Sequence, residues 1–126
     1  MTTVLKKILY IEDDENIAEI AIMAMQSIGK FEVQHFLSAK EALANLDNLE
    51  PQMILLDMMM PEMDGLTFFE ELQKYTKFKK IPTIFITARI QNDEIKNYLA
   101  KGARGVIAKP FDPMELCNSI NKLWKE

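Results

Sequence analysis

The chain of 126 residues holds one cysteine, Cys117, and one histidine, His35. A lone cysteine excludes an internal disulfide framework and fits a reducing compartment, so a cytoplasmic protein is expected. A lone histidine has no second imidazole with which to share a metal, and His35 reads as structural. No apolar stretch reaches the length that spans a bilayer, and the N-terminus lacks the hydrophobic core of a signal peptide, so no membrane association is expected. A formal net charge of -4 argues against general nucleic-acid binding. Lys77, Lys79 and Lys80 cluster, but as a loop they read as solvated surface rather than a phosphate site. There is no repeat, low-complexity tract or linker, and the chain runs from a Met to a helical pattern. One domain over residues 1–126, with no output domain, is therefore expected. A chain of this length buries roughly two-thirds of its unfolded surface, enough for a core without disulfides or metal staples.

What is present is organised around Asp57. It ends the apolar run Met53-Ile54-Leu55-Leu56 and precedes Met58-Met59-Met60-Pro61. Four consecutive apolar residues read as a strand buried on both faces. Pro61 turns Met60 away from helix, so the strand leaves into an extended loop. Ile8-Leu9-Tyr10-Ile11 is a second such run and ends in Glu12-Asp13-Asp14-Glu15. Acids in a first helical turn suit the helix dipole, which accounts for Asp14 and Glu15 better than for Glu12 and Asp13. A helix follows with Ile17, Ile20, Ala21, Ala24 and Ile28 on its stripe and Gly29 as its stop. Residues 31–35 alternate and suggest a half-exposed edge strand. Ser38 and Glu41 form a capping box for a second helix.

Asp64-Gly65 is a turn signal, with Gly65 able to take a backbone shape closed to other residues. The helix after it carries Leu66, Phe68, Phe69 and Leu72. Thr83-Ile84-Phe85-Ile86 is the fourth strand, with Thr87 at its end. A helix over about 92–101 is expected to bury Ile95 and Leu99 and to stop at Gly102. Gly105-Val106-Ile107-Ala108 is the last strand, followed by Lys109-Pro110. Asp112, Pro113 and Glu115 open the last helix, whose stripe is Leu116, Cys117, Ile120, Leu123 and Trp124.

Strands alternating with helices mean an α/β fold, a five-stranded parallel sheet covered by five helices on both faces. The most polar strand, the second, belongs at an edge, which selects the flavodoxin-like, doubly wound order 2-1-3-4-5. That order sets the first and third strands side by side and brings Glu12 and Asp13 to Asp57, with Thr87 and Lys109 on the neighbouring strand ends. Three carboxylates in one crevice repel one another, and Lys109 supplies one positive charge. A hard divalent ion with oxygen ligands completes the balance, and Mg²⁺ suits a site with few carboxylates and several waters. Lys109 and the Thr87 hydroxyl can hold phosphoryl oxygens. Asp57 is then a carboxylate nucleophile aimed at phosphorus, giving an acyl phosphate. The plainer alternative is that Asp57 caps a loop.

The sequence resembles the receiver domains of two-component response regulators, and among them the stand-alone chemotaxis-type regulators. The resemblance runs from about Lys6 to Lys125. It is carried by residues 8–14 (ILYIEDD), residues 57–65 (DMMMPEMDG), Thr87-Ala88-Arg89 and Lys109-Pro110-Phe111. It implies that Asp57 accepts a phosphoryl group from a phosphohistidine of a sensor histidine kinase or a histidine phosphotransfer protein. Mg²⁺ would be bound by Asp13, Asp57 and the Met59 backbone carbonyl, with Glu12 acting through water. Lys109 would pair with the phosphoryl group, its bond to Pro110 being cis. Thr87 would move toward that group, with the small Ala88 leaving room. The output face would be the fourth helix, last strand and last helix, with Tyr98, Lys101 and Arg104, presented to a downstream protein. The resemblance implies a signalling switch rather than an enzyme, a monomer, with dimerisation on phosphorylation left open.

Two positions depart from the family. Val106 stands three before the lysine, where an aromatic residue often rotates inward, so the signal is expected to travel through the loop after Thr87. Met59 and Arg89 occupy the places that govern access of hydrolytic water, and a long-lived acyl phosphate is expected. On the first helix Ile22, Met23 and Met25 lie outside the expected stripe; docking of a kinase's helices and second-layer core packing are equally good accounts. The nine methionines mostly fill the core on this reading. Three other readings fit the sequence less well. A phosphatase or phosphotransferase wants a second acid two residues after Asp57, where Met59 stands. A flavin-binding protein wants a phosphate-cradling loop after the first strand, where acids stand. A receiver-like binding module that works without phosphorylation does not need the acid, Thr and Lys set.

Overall fold

The computed structural model describes residues 4–88 and 91–125. Five strands, β1 (Lys7–Ile11), β2 (Glu32–Phe36), β3 (Met53–Asp57), β4 (Thr83–Thr87) and β5 (Gly105–Ala108), form one sheet. Its order is β2-β1-β3-β4-β5, and every neighbouring pair is parallel. This is the expected order. Of the strands that read as unbroken apolar runs, β3 and β4 are buried along their whole length and β1 from Ile8 onward, whereas β2 alternates at the edge.

The crossovers carry α1 (Glu15–Ser27), α2 (Ala39–Ala44), α3 (Gly65–Leu72) and α5 (Asn92–Ala100), and α6 (Pro113–Lys125) closes the chain. A one-turn helix, α4 (Thr76–Lys79), follows α3 and is additional to the five expected helices. It takes up Lys77 and Lys79, so the lysine cluster is a helical turn with Phe78 buried beneath it, not a loop. Among the described residues no helix is long and apolar enough to cross a membrane.

The sheet separates two cores. Tyr10, Leu55 and Ile86 pack under α1 and α6 with Met25, Leu116 and Ile120. Leu9, Leu56 and Phe85 pack on the opposite face with Ala42, Phe68, Phe69 and Leu72. Burying one such aliphatic or aromatic side chain stabilises by roughly 1.5–3 kcal/mol before entropy is counted.

Several sequence expectations need correction. On α1 the buried residues are Ala18, Ala21, Ala24 and Met25, while Ile20 and Ile28 of the expected stripe are 53% and 47% exposed. Small alanines let α1 approach α6 closely enough for the Cys117 thiol to donate to the Ala24 carbonyl at 3.3 Å. The larger isoleucines are displaced to the flank. Met25 is therefore core, Ile22 packs against that core, and Met23 alone of the three stands out, 62% exposed. The helix ends at Ser27, and Lys30, not Gly29, takes the left-handed backbone, with φ 60°. On α5 no residue is buried, and Leu99 is 45% exposed. Gly102 does end it as expected, with φ 115°.

Asp64-Gly65 is not a free turn. Asp64 caps α3, its Oδ1 accepting from the Thr67 N–H at 2.9 Å, and Gly65 is the first helical residue. Gly65 is needed for space rather than for a left-handed φ, since a Cβ there would lie 2.5 Å from the Asp57 carbonyl oxygen. Asp14, Ser38 and Asp112 cap their helices as expected, each side chain accepting from backbone N–H at its helix start, and of the Ser38–Glu41 box the half made by the Ser38 hydroxyl is seen.

Candidate functional site

Strand register brings the acids together. Ile11 pairs with Leu56, so one further step along each strand sets Glu12 beside Asp57. Side chains alternate along a strand, so Glu12 shares the face of Tyr10, and Asp57 that of Leu55. Asp13 follows at the rim, exposed, before Asp14 caps α1. Glu12, Asp13 and Asp57 each offer an oxygen within 4.8 Å of the others. Glu12 and Asp57 are 0% and 1% exposed, deep enough that their charges need partners.

Lys109 supplies one. It lies one step beyond β5, and its N–H donates to the Thr87 carbonyl at 3.0 Å. Its ammonium stands 2.8 Å from Glu12 Oε1 and 3.2 Å from Asp57 Oδ2. The peptide bond between Lys109 and Pro110 is cis. Thr87 closes β4, 1% exposed, and Ala88 follows it at the surface. Arg89, expected with Met59 to govern access of hydrolytic water, lies outside the described residues. After β3 the chain turns back on itself, and the Met59 N–H donates to Asp57 Oδ1 at 3.0 Å. The Met59 side chain is 54% exposed.

The electrostatics follow from this crowding. Burial raises the Glu12 carboxyl to about 7, and the adjacent Asp57 adds to the shift through hydrogen bonding and charge, while Lys109 opposes it. Burial pushes the Lys109 ammonium down, but the hydrogen bond to Glu12 and the charges of Asp57 and Glu12 outweigh it, and the net shift is upward. Three acids against one ammonium leave a surplus of negative charge. Asp57 Oδ2 is buried close to Lys109 yet receives no well-angled hydrogen bond. An all-oxygen donor set with such an under-served oxygen fits a hard cation.

Two residues of this region were not singled out from sequence as parts of the site. Tyr10, wholly buried, turns its hydroxyl toward Glu12 Oε1 at 3.5 Å. His35, read as structural, donates from Nε2 to the Glu12 carbonyl at 2.8 Å. The signal for Tyr10 was present: a phenol inside a doubly buried strand needs a polar partner, and the same face of the strand offers one two residues on. Val106 is half-buried against the core beneath α3, as is Tyr98 of α5.

Comparison with known proteins agrees with this geometry. Residues 8–121 match the response regulator receiver domain. Response regulator Rre1 of Synechocystis is 33% identical over 110 residues, which is 86% of this chain and 47% of that protein. The sensor histidine kinase CheAY of Helicobacter pylori is 34% identical over 120 residues, 94% of this chain and 15% of that protein. The chain thus spans about half the length, or less, of these relatives. The chemotaxis response regulator CheY4 of Vibrio cholerae superposes with a TM-score of 0.86 at 26% identity, covering 95% of this chain and 99% of that one. The chain belongs to the response regulator receiver domains, the signalling switches of two-component systems.

Proposed function

We propose that Asp57 is the phosphoacceptor of a Mg²⁺-dependent relay, loaded from a phosphohistidine on a histidine kinase or a histidine phosphotransfer protein. The observation that supports this most is the convergence of Glu12, Asp13 and Asp57 within 4.8 Å beside the Lys109 ammonium. In the transfer, an Asp57 carboxylate oxygen forms a bond to phosphorus as the bond from phosphorus to the imidazole nitrogen breaks. The electron pair leaves with the imidazole, which takes up a proton. Asp13, Asp57 and the Met59 backbone carbonyl would hold Mg²⁺, with Glu12 reaching it through water; the bound cation supplies charge neutralisation for the phosphoryl oxygens. Lys109 pairs with one phosphoryl oxygen as a point charge. Thr87 donates its hydroxyl to another, and Ala88 leaves room for that movement. Positioning and electrostatic neutralisation account for most of such a transfer.

Receiver domains interact with histidine kinases, and the Helicobacter relative is itself a sensor histidine kinase. On this chain the exposed Ile20 and Met23 of α1 are available for docking, whereas Met25 is not. Output leaves through α5, β5 and α6, with Tyr98, Lys101 and Arg104, toward a downstream protein. The resting protein is a monomer. With Val106 in place of an aromatic rotor, movement at Thr87 passes through the loop into α5. Met59 cannot orient a hydrolytic water, so the acyl phosphate lasts minutes to hours.

Fluorine NMR with Mg²⁺ and beryllium fluoride tests the reading. A magnesium-dependent resonance of bound beryllofluoride is expected for the wild type and is absent from Asp57→Ala. A wild type that shows no bound resonance would leave a binding module that works without phosphorylation as the better account.

A further inference from the structure

Glu12 is 0% exposed, so each donor that the protein itself brings to it matters. Oε2 accepts from the Asp14 N–H at 3.3 Å. Oε1 takes the Lys109 ammonium at 2.8 Å and faces the Tyr10 hydroxyl at 3.5 Å. That last contact is longer than a full O–H···O bond, for which about 2.7–2.8 Å is usual. The hydroxyl is aimed at Oε1 but only loosely engaged.

Lys109 serves two acids at once, since the same ammonium lies 3.2 Å from Asp57 Oδ2. A phosphoryl group on Asp57 adds anionic oxygens on that side and draws the ammonium toward them. Glu12 Oε1 then loses its short contact with Lys109 and, besides a water of the bound cation, has only donors of the protein to turn to. The surroundings hold what is needed to replace it. Tyr10 lies on the same face of β1 as Glu12. Its ring packs on His35, with centroids 5.4 Å apart, and the His35 Nε2 donates to the Glu12 carbonyl at 2.8 Å. The backbone of Glu12 and the ring of Tyr10 are thus braced by one side chain of the edge strand.

We propose that Tyr10 is a positioning residue that closes on Glu12 Oε1 when Lys109 is drawn to the phosphoryl group on Asp57, with His35 as its brace. No bond is broken, and the phenolic proton stays on Tyr10 while its hydrogen bond shortens. The proposal rests on the phosphoacceptor reading above. It makes Tyr10 matter in the loaded state and hardly at all in the resting one. A hydrogen bond to a charged group corresponds to roughly tenfold or more in an equilibrium constant.

The test compares wild type with Tyr10→Phe, which keeps the ring and removes only the hydroxyl. Mg²⁺ affinity without beryllium fluoride is expected to agree within about twofold, because the resting contact is weak. Beryllofluoride affinity at saturating Mg²⁺ is expected to fall roughly tenfold. In the wild-type protein the Tyr10 ¹³Cζ resonance, assigned through its own backbone, is expected to move downfield on adding beryllofluoride. This measurement needs no substitution and stands if Tyr10→Phe folds poorly. Beryllofluoride binding by wild type with an unmoved Tyr10 resonance, or with equal affinity in Tyr10→Phe, would overturn the proposal and leave the phosphoacceptor reading intact. A wild type that binds no beryllofluoride overturns both.

Discussion

Helices α5 and α6 flank the same strand, β5, yet they are held in different ways. Helix α6 drives Leu116, Cys117 and Ile120 into the core that it shares with α1, and Asp112 and Pro113 set its start. Helix α5 buries no residue completely. Its main anchor is Tyr98, whose ring meets Phe85 edge-on at 5.2 Å, and Phe85 in turn meets Phe69 at 5.1 Å. Elements with few buried apolar contacts open at lower free energy than the core. The weakly held helix is also the next helix in sequence after Thr87 and Ala88. On the proposed function, a fixed frame would hold the acids and a looser element would report their state, and the difference in anchoring between α6 and α5 suits that division.

The contrast can be broken from the α6 side with the largest effect. Leu116→Ala leaves a cavity in the shared core and is expected to lower stability by about 2–5 kcal/mol in urea unfolding. A loss under ~1 kcal/mol would mean that α6 is no better anchored than α5.

Next in size is the response to pH, which belongs to the acid rim and not to α5. Glu12 titrates at about 7 in the folded, metal-free protein against 4.5 in its ordinary state. The folded form therefore binds the proton more tightly, and its stabilising contribution is complete below pH 4.5. It is lost as pH rises to about 7. Thermal melts without divalent cation should show stability declining across that window, and Glu12→Gln should flatten the decline. Stability that rises with pH there, in a manner dependent on Glu12, would contradict the sign.

The smallest expected effect is at the anchor of α5. Tyr98→Leu keeps an apolar side chain but loses the edge-on ring pair, and it should cost about 0.5–1.5 kcal/mol. Amide exchange in α5 should quicken in this variant while that in α6 is unchanged. Quickening in both helices would show that they are one cooperative unit.

The sheet was legible because β1, β3 and β4 are buried on both faces and read as apolar runs that no surface helix would carry. The site was legible for a related reason. Once the edge strand is placed, strand order dictates which ends meet, and Glu12, Asp13, Asp57, Thr87 and Lys109 all sit at ends. The helices were less legible. In α1, Ile17, Ile20, Ala21 and Ala24 and the alternative Ala18, Ala21, Ala24 and Met25 both satisfy a 3.6-residue period. What decided between them was the close approach to α6, a tertiary fact. In α5 the period at Ile95 and Leu99 marks a helix, but the burial expected of that face does not occur, since periodicity carries no depth. The role of Gly65 was misplaced because sequence marks a glycine without revealing that the Asp57 carbonyl is what it must accommodate. Tyr10 passed as one more apolar residue because its hydroxyl matters only after the neighbouring carboxylate has been buried.

The intact mass of the protein after incubation with Mg²⁺ and a small-molecule phosphodonor tests the central claim most directly. The wild type is expected to gain the mass of one phosphoryl group, and to gain nothing when magnesium is chelated or when Asp57 is replaced in Asp57→Ala. An unchanged wild-type mass, or a gain that persists in Asp57→Ala, would contradict it.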